Sequence, residues 1–539
     1  MPDGLPVRRG KWPAHPVIYQ IYPRSFADTT GSGEGDLAGI AGKLDHLADL
    51  GADAVWIGPV YPSPMYDGGY DVADYCGIDP RYGTLADLDR VIARAHDLDL
   101  RIMMDLVFNH TSIAHPWFKA SAARRDGMDD WYVWADAGPD GALPSNWQSY
   151  FGSPAWRWHE GRGQYYYHTF SDQQPKLNLR HDGVRDALAK VCAFWRARGV
   201  EGFRMDAVTS YLHDPEFRDN PKASPEVSAR VAGPPEGEYK RQDHVYDFLP
   251  GDGVAFMRHV RDWAGPDTYL LGEVNSGNQS VELATDLVGP DGLDSAYVLD
   301  VAERGLTGTI LADMVARGAC RHGLAWWFST HDQARHVTRA GDGSPRDAAM
   351  FGALLTALPG PLIVYQGEEA GQPQAELPHE VVNDPFDLRF WPDGPGREAA
   401  RVPLAWTQDA PGYGFTTGSP WLPMATTGLP ESLAAQRADD GGSTFNMYRH
   451  ALRLRKALGL ADGGTEILDA AEDRITARLH RKQGPPVVLA LNMTHTARPW
   501  ADLRDRDVLL ASTAPQNRET MAPRSTLWLT DGAPASAYA

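Results

Sequence analysis

The sequence predicts an α/β protein: a closed (β/α)8 TIM barrel with a small domain inserted after strand 3 and a C-terminal antiparallel β-sandwich domain. Eight short apolar, β-branched segments recur along the chain. Most are followed by a helical pattern, which indicates right-handed crossovers and a parallel sheet. Eight such strands favour a barrel. A doubly wound open sheet fits the same alternation, but no G-x-G-x-x-G motif follows the first strand.

Each predicted strand is a short run of mostly apolar residues. In chain order the eight are VIYQIY (17–22), AVWIGPV (54–60), RIMMDLV (101–107), GFRMDAV (202–208), TYLLGEV (268–274), SAYVLD (295–300), GLAWWFSTHD (323–332) and PLIVYQGEE (361–369). The helical pattern is clearest at 85–100, where Leu85, Leu88 and Ile92 follow the three-and-four spacing of an amphipathic helix.

Three segments depart from this alternation and set the predicted domain limits. Residues 109–177 are too long for a crossover, and 14 of these 69 residues are aromatic against 10% in the whole chain, so we expect an inserted domain. A second excursion, rich in Pro, Gly and Asp, spans about 371–440 after strand 8. Short strands indicate an all-β domain over 461–539, which leaves 1–108 and 178–460 for the barrel.

Composition and charge exclude several classes of protein. The 539 residues carry 51 basic and 71 acidic side chains, a net charge of −20 that disfavours nucleic acid and anionic membranes as partners. No run of about 18 apolar residues predicts a membrane span, and no apolar segment follows the basic N-terminal residues as a signal peptide requires. We therefore expect a cytoplasmic monomer or homodimer. The scattered Cys76, Cys192 and Cys320 favour buried thiols over disulfides or a zinc site.

Charged side chains lie where the predicted strands end. Arg204 and Asp206 stand two residues apart within GFRMDAV, on one side of a strand, where opposite charges are costly unless paired or functional. Asp105, Glu273 and Asp332 end or follow other strands. In a β/α barrel the C-terminal strand ends meet at one mouth, which holds the reactive residues. Each acidic residue alone fits a turn or a cap, but together they favour an active site.

Three carboxylates, an arginine and the two histidines His110 and His331 fit the cleavage of a glycosidic bond. That reaction needs one carboxyl group protonated for the leaving oxygen and another ionised at the sugar carbon, a contrast that the surroundings impose. Arg204 favours the ionised form of Asp206. The chain offers no G-x-S-x-G elbow and no phosphate loop, which argues against acyl and phosphoryl transfer.

Eight motifs carry a family resemblance. Those that resemble the α-amylase superfamily, glycoside hydrolase family 13, are DLVFNH (105–110), GFRMDAV (202–208), GEV (272–274) and HD (331–332). Those similar to the bacterial α-glucosidase and oligo-1,6-glucosidase group are QIYPRSF (20–26), GYDVADY (69–75), YYYHTFSDQQPKLN (165–178) and YQGEE (365–369). The resemblance covers about residues 16–460, and the C-terminal domain more weakly.

The resemblance implies a retaining α-glucosidase that acts on short α-glucosides, oligosaccharides or alkyl and aryl α-glucosides, from the non-reducing end. Asp206 would be the nucleophile, Glu273 the acid and base, and Asp332 a stabiliser of the transition state. The residues implied to bind substrate are Asp67, Tyr70, His110, Phe170, Gln174, Arg204, His331 and Arg401. Within this set Asp67 and Arg401 would clamp the non-reducing end, and Arg204 would hold Asp206.

Three features depart from the family pattern. Thr330 replaces a non-catalytic Asn of the usual S-N-H-D, so we expect activity to survive. The metal loop, commonly D-x-N-x-D-G-x-G-D, reads DTTGSGEGD and keeps Asp28 and Asp36 but loses two strong oxygen ligands. A hard cation needs about six oxygens, so we expect no calcium or magnesium ion and no required cofactor, although water could fill the gaps. Arg401 is assigned through a segment that departs from the usual GRDGxRTPMQW.

Substrate and reaction type stay open within this resemblance. Ala207 is similar to family members that prefer α-1,4 bonds, as in maltose, whereas Val there accompanies α-1,6 preference. Sucrose as a substrate, and strong glucosyl transfer to acceptors, stay open. An isomerase or synthase of the same fold is the alternative, although residues 334–343 lack the arginine-rich motif of sucrose isomerases. A non-catalytic carbohydrate-binding relative is the remote alternative, since such relatives usually lose carboxylates that are present here.

Overall fold

The computed structural model describes residues 12–229, 237–275, 280–319, 323–394, 396–424, 431–439, 442–500, 505–515, 517 and 519–531. Their strands are β1 (Val17–Ile21), β2 (Ala54–Ile57), β3 (Arg101–Leu106), β4 (Trp134–Ala135), β5 (Trp156–His159), β6 (Gln164–Tyr167), β7 (Gly202–Met205), β8 (Tyr269–Val274), β9 (Ser295–Val298), β10 (Leu362–Tyr365), β11 (Thr465–Ala471), β12 (Arg474–Leu479), β13 (Val487–Asn492), β14 (Arg498–Pro499), β15 (Val508–Ala511), β16 (Thr520–Met521) and β17 (Ser525–Thr530). Their α-helices are α1 (Leu37–Leu50), α2 (Leu85–Asp97), α3 (Pro116–Ala122), α4 (Asp182–Ala197), α5 (Pro225–Ser228), α6 (Pro250–Ala264), α7 (Ser280–Leu287), α8 (Asp300–Glu303), α9 (Gly308–Ala316), α10 (His336–Arg339), α11 (Pro345–Ala357), α12 (Pro385–Arg389), α13 (Arg397–Ala400), α14 (Leu433–Ala438) and α15 (Thr444–Leu458).

The centre of the molecule is the predicted barrel. Seven parallel strands lie side by side in the order β10-β1-β2-β3-β7-β8-β9. The two outer strands meet through one short segment, because Leu324 pairs with Ala296 of β9 and Trp326 pairs with Leu362 of β10, both in parallel. This segment takes the place of the predicted seventh strand, and the sheet closes into eight positions. The C-terminal ends of all eight therefore face one mouth, as the sequence analysis expected.

The seventh position is shorter than predicted. The sequence pattern suggested a strand over 323–332, but the pairing with both neighbours is limited to residues 324–326. Beyond Trp326 the chain leaves the barrel wall and turns across the mouth, where Asp332 donates its N–H to the Thr330 hydroxyl at 3.2 Å. Trp327 and Phe328, which follow the paired residues, are buried although they are not in a strand, and Trp327 donates its indole N–H to the Val298 carbonyl of β9 at 2.7 Å.

The outer helices follow their predicted apolar faces. In α2 the buried residues include Leu88 and Ile92 of the predicted face. A capping box fixes its start, since Thr84 and Asp87 exchange side-chain and backbone hydrogen bonds. Such a box satisfies two of the four N–H groups that a helix start leaves without partners.

Two helices close the barrel between its last and first strands. The helix α15 packs against α11. A Cβ atom at Gly352 of α11 would lie 2.2 Å from the ring of Tyr448, so the two helices approach more closely than any larger residue would allow. Trp528 of the C-terminal region donates its indole N–H to the Ala353 carbonyl of α11 at 2.9 Å, which joins that region to the barrel.

Two further regions flank the barrel where the sequence pattern changed. Between β3 and β7, the strands β4-β6-β5 form an antiparallel sheet with its own small core around Trp147 and Trp156. After α15, an antiparallel sheet in the order β11-β12-β13-β17-β15 packs Leu527 and Leu529 against Met521 of the two-stranded sheet β14-β16. These two unequal layers are the predicted C-terminal sandwich. The exact domain limits stay a prediction.

Two further observations concern membrane-spanning helices and the cysteines. Within the described ranges, none of the helices has the length and apolar character that crossing a bilayer requires. Cys192 is buried and Cys76 is half-buried, each with a free thiol. Cys320 lies outside the described residues.

Candidate active site

The mouth of the barrel holds a cavity of about 260 Å³. The predicted site residues that line it are Asp67, Tyr70, His110, Phe170, Asp206, Glu273 and Asp332. Asp206 directly follows β7, Glu273 lies near the end of β8, and Asp332 follows the segment at the seventh position. The three predicted catalytic carboxylates, which are spread over more than a hundred residues of sequence, thus face one space.

Arg204 joins two of these carboxylates. Its side chain is fully buried, with Nη1 2.7 Å from Asp206 Oδ1 and Nη2 2.7 Å from Glu273 Oε2. Nη1 also lies 2.7 Å from Asp105 Oδ1. Burial lowers the pKa of Arg204, but Glu273, Tyr297 and Asp105 outweigh it and hold the pKa well above its ordinary value. Arg204 and Asp206, the two opposite charges noted in the sequence, are therefore bonded to each other. Together with Asp105 and Glu273 they form the floor of the cavity.

Residues that the sequence analysis missed hold Arg204 in place. The Tyr297 hydroxyl, on β9, accepts from Arg204 Nη2 at 2.8 Å. Asp105 accepts from the indole N–H of Trp56 at 2.7 Å through its second oxygen. The guanidinium carbon lies 5.1 Å from the centre of the Trp56 ring. Because every donor group of the arginine has a fixed partner, Asp206 and Glu273 are held in one geometry before substrate arrives.

The backbone after Asp206 is unusual. Ala207 has φ 44° and ψ 48°, the left-handed region that non-glycine residues rarely adopt. This turn aims the Ala207 N–H at Glu273 Oε2, at 3.1 Å. Strained backbone of this kind persists where the surrounding contacts over-determine it, and here it adds a second donor to Glu273.

Asp332 is surrounded by basic groups. Its Oδ1 lies 2.9 Å from Arg401 Nη2 and 3.1 Å from Arg397 Nη2. Its Oδ2 lies 3.0 Å from His331 Nε2. Burial raises the pKa of Asp332, but His331, Arg397 and Arg401 together outweigh it and hold the pKa well below its ordinary value. The basic groups around Asp332 therefore favour its ionised form.

The arginine that contacts Asp67 differs from the predicted one. The resemblance assigned Arg401 to Asp67, but Arg397 Nη2 lies 2.9 Å from Asp67 Oδ1 and Arg397 lines the cavity. Arg401 is not among the lining residues and is bonded to Asp332 and Asp384. Both arginines come from the α13 region, four residues apart, so they lie on the same side of one helical turn.

The remaining predicted binding residues support the lining rather than form it. Gln174 donates to Asp67 Oδ2 at 2.9 Å and lies 3.0 Å from His110 Nε2. Gln20 contacts His331 Nδ1 at 2.7 Å. The His331 ring stacks on Tyr70, with ring centres 5.1 Å apart. Four predicted residues, namely Gln174, Arg204, His331 and Arg401, thus lie behind the lining and orient it.

The protonation of two lining residues follows from burial. Burial raises the pKa of Asp206 well above its ordinary value, Arg204 lowers it, and Glu273 raises it further. Arg204 favours the ionised form as expected, but burial is the larger effect. Burial lowers the pKa of His110 to about 3, so this imidazole is neutral at working pH. A neutral ring has one donor and one acceptor nitrogen, which suits a sugar hydroxyl.

A buried lysine lies next to the turn that follows Asp206. Lys176 is fully buried and its ammonium group contacts the side chain of Asn109 and the carbonyl of Ser210. Ser210 in turn donates its N–H to the carbonyl of Ala207, in the left-handed turn. Burial lowers the pKa of Lys176 to about 7.

The loop from Asp28 to Asp36 does not fit a bound metal ion. The Asp28 carboxylate accepts hydrogen bonds from three backbone N–H groups and from the hydroxyls of Thr30 and Thr416. Asp36 accepts the N–H groups of Thr29 and Gly39. These donors occupy the oxygens that a hard cation would need. Within the described ranges, no group of three or more acidic, histidine or cysteine side chains is arranged for a metal.

Several lining residues carried no signal that the sequence analysis recognised. They are Tyr150, Phe151, Thr209, Tyr239, Phe248, Asn275, Leu299, Glu303, Phe386 and Arg397. Tyr150 and Phe151 come from the inserted region, whose high aromatic content was noted but not assigned to the site. Tyr150 stacks on Phe386 with ring centres 5.7 Å apart, so the insertion and the excursion after β10 meet at the mouth.

Comparison with known proteins gives a consistent picture. The α-amylase catalytic-domain family matches residues 20–298 and 309–463. The chain is 43% identical over 470 residues to a probable α-glucosidase of Rhizobium meliloti (strain 1021). This match covers 85% of each of the two chains.

Solved structures extend the likeness to nearly the whole chain. An α-glucosyl transfer enzyme, XgtA, superposes with a TM-score of 0.89 at 36% identity and covers 97% of this chain and 99% of its own. The trehalulose synthase MutB from Pseudomonas mesoacidophila MX-45 superposes with a TM-score of 0.86 at 27% identity, over 97% of this chain and all of its own.

Proposed function

The chain belongs to the α-amylase family of glycoside hydrolases, and from this premise we propose that it is a retaining, exo-acting α-glucosidase. It releases α-D-glucose from the non-reducing end of short α-glucosides. The likeness to a probable α-glucosidase over most of the chain supports this reaction. The proposal also assigns the site residues, for which the geometry of the cavity is the support.

One observation carries the proposal: Arg204 bonds Asp206 and Glu273 at the same time. Retaining glycosidases need two carboxyl groups close enough to act in turn on one anomeric carbon, roughly 5–5.5 Å apart. A single guanidinium that contacts both carboxylates keeps them on this short scale. Asp332 completes the set from another part of the same cavity wall.

The two carboxylates act in sequence. Asp206, in the ionised form that Arg204 favours, attacks the anomeric carbon while Glu273 gives its proton to the leaving oxygen, which breaks the glycosidic bond and forms a glucosyl ester on Asp206. Glu273, now ionised, takes a proton from water, which attacks the same carbon and frees Asp206. Two inversions at that carbon give net retention. Asp332 accepts hydrogen bonds from the sugar hydroxyls as charge develops on the ring.

The closed end of the cavity supports exo action. Asp67 and Arg397 pair across it, and neutral His110 lies beside them. This set replaces the predicted clamp of Asp67 with Arg401. A terminal glucose fits against these polar groups, and a chain that continued beyond its non-reducing end would meet the Asp67 and Arg397 pair.

Linkage and acceptor are finer parts of the proposal. Ala207 lines the cavity next to Asp206, and by family resemblance it favours α-1,4 bonds such as that of maltose. A second candidate reaction is glucosyl transfer to an acceptor alcohol in place of water, which the likeness to XgtA supports. Rearrangement of sucrose is a weaker alternative that the likeness to MutB supports.

Product analysis tests the proposal. The protein is incubated with maltose, isomaltose, sucrose and trehalose, with and without an acceptor alcohol, while proton NMR follows the anomer released first. We expect α-glucose first, maltose cleaved fastest, and an α-glucoside of the alcohol when it is present. Glu216→Gln is the control, because this carboxylate is exposed and lies outside the cavity.

Other products would change the assignment. β-Glucose as the first product would show inversion and remove the role of Asp206. An isomeric disaccharide from sucrose, without free glucose, would favour the synthase reaction. No cleavage of any α-glucoside would overturn the proposal.

A further inference from the structure

Glu303 places a carboxylate in the cavity that has no partner among the described residues. It is the last residue of α8, which directly follows β9 at the mouth of the barrel. Its side chain is exposed and lines the cavity. In the part of the chain that the structure describes, this carboxylate makes no hydrogen bond or ion pair, unlike Asp67, Asp206, Glu273 and Asp332.

The charge lining the cavity is strongly negative. Its acidic lining residues are Asp67, Asp206, Glu273, Glu303, Asp332 and Asp393, and Arg397 is the single basic side chain among the described lining residues. Arg397 is already engaged by Asp67 at 2.9 Å, by Asp332 at 3.1 Å and by Asp384 at 3.5 Å. An anion that entered would therefore find no uncommitted cation in this lining.

Glu303 lies in the same surroundings as Glu273. Burial raises the pKa of Tyr150, the charges of Glu303 and Glu273 raise it further and Arg397 lowers it, so this phenol lies among these three charged groups. Tyr150 accepts from Asn275, next to β8, at 3.2 Å. In the proposed reaction a glucose held by Asp67 and Arg397 points its glycosidic oxygen at Glu273, so its leaving group occupies the rest of the cavity, which Glu303 also lines.

We propose that Glu303 makes the leaving-group end select neutral leaving groups and acceptors over anionic ones. The inference rests on the proposed function. A phosphate or carboxylate group on the leaving residue would meet Glu303 and Glu273, and like charges a few ångströms apart in a partly dry cavity repel strongly. Sugars phosphorylated on the leaving residue are therefore poor substrates, and anionic alcohols are poor acceptors.

The selectivity has a pH signature. The cavity walls, and then Asp300, raise the pKa of Glu303 to about 8 although the side chain is exposed, while Lys240 lowers it. Tyr150 and Tyr239 also lie near this group, and neither brings a positive charge. Lys240 is half-buried and forms no ion pair with Glu303 among the described residues. Discrimination against anions should thus strengthen as the pH rises through about 8 and Glu303 ionises.

The experiment compares two matched glucosides, 4-carbamoylphenyl and 4-carboxyphenyl α-glucoside, which differ mainly in the charge of the leaving group. The ratio of kcat/KM for the neutral over the anionic substrate is measured at pH 6 and pH 9, so that shared pH effects cancel. We expect the ratio at pH 9 to fall about tenfold in Glu303→Gln relative to the wild type. At pH 6 the two proteins should agree. Salt should weaken the effect.

Two variants guard the interpretation. Asp313→Asn removes one charge from a residue outside the lining, paired with Arg304 and Arg317, and should leave the ratio unchanged. Lys240→Gln removes the neighbouring cation and should raise the ratio. Equal ratios for wild type and Glu303→Gln at pH 9 would overturn the inference. Failure of the wild type to cleave either glucoside would instead contradict the proposed function. In that case the affinities of wild type and Glu303→Gln for the same two glucosides, measured by calorimetry, would still decide the role of Glu303.

Discussion

The two ends of the cavity are built differently. At the closed end each charged lining residue has fixed partners: Asp67 bonds Arg397 and Gln174, and Asp332 contacts Arg397 and Arg401. At the leaving-group end Glu303 lines the cavity and has no partner among the described residues. A side chain whose hydrogen bonds are already fixed loses little conformational entropy when a ligand binds. It also discriminates against ligands that do not match its geometry.

This contrast suggests a division of labour. The closed end should recognise one sugar strictly, because any change leaves buried polar groups unpaired. The leaving-group end should accept varied alcohols and sugars, and its preference should depend on charge and apolar contact more than on fixed hydrogen bonds. The predictions below test the closed end and the catalytic floor, from the largest effect to the smallest.

Removal of the central guanidinium should have the largest effect. Arg204→Met leaves Asp105, Asp206 and Glu273 buried together without their cation. We expect kcat/KM for maltose to fall by roughly 10²–10³-fold or more and the free energy of unfolding to fall by about 3–5 kcal/mol. Steady-state kinetics and denaturant unfolding measure the two losses.

A surface pair provides the control for Arg204. Arg198 pairs with Asp89 at 2.8 Å but is partly exposed, so Arg198→Met should cost less than about 1 kcal/mol and leave activity unchanged. If Arg204→Met retained full activity, the paired floor of the site would have no catalytic role.

The corrected clamp gives the second test. Arg397→Gln should weaken competitive inhibition by glucose by about 10–100-fold, because hydrogen bonds to charged groups are worth about 1.5–3 kcal/mol and Asp67 would lose its partner. Arg401→Gln should leave the glucose affinity within a few fold and lower kcat instead, since Arg401 touches Asp332 from behind the lining. The opposite pattern would restore the pair that the sequence resemblance predicted.

The smallest expected effect concerns stability. Burial raises the pKa of Asp206 in the folded state, so the folded protein holds this proton more tightly than the unfolded chain. The contribution of Asp206 to the free energy of unfolding is therefore complete below its unfolded pKa, near 3.9. It is lost as the pH rises through the raised pKa of the folded state. Asp206→Asn should thus stabilise the inactive protein at pH 7 by about 1 kcal/mol, and the gain should shrink toward pH 4. Denaturant unfolding at both pH values measures it, and destabilisation at pH 7 would contradict the account.

Much of this arrangement could be predicted because it follows from local patterns. Asp105, Asp206 and Glu273 stand at the ends of apolar strand segments, and parallel strands in a barrel end at one mouth. The strand and helix alternation, the inserted region and the C-terminal sheets were visible for the same reason. The resemblance then supplied roles that the pattern alone left open.

The rest depended on contacts that sequence spacing does not encode. Tyr297 lies within the apolar segment SAYVLD, which indicates only a core residue. Its hydroxyl nevertheless accepts a hydrogen bond from Arg204. Arg397 and Arg401 differ by one helical turn in a segment of irregular pattern, so only the fold decides which meets Asp67. Glu303 closes a four-residue helix and carried no motif. The seventh strand was predicted too long because a buried loop and a strand share an apolar composition.

Trapping the glucosyl enzyme tests the central claim most directly. Glu273→Gln should lower maltose turnover by roughly 10²–10⁴-fold or more, as expected for loss of acid and base catalysis. With α-glucosyl fluoride, whose leaving group needs no proton, the variant should still form the ester but release it slowly. Mass spectrometry should then find one glucosyl unit on the peptide that contains Asp206. A glucosyl unit on another carboxylate, or near-normal maltose turnover by the variant with no ester, would contradict the account.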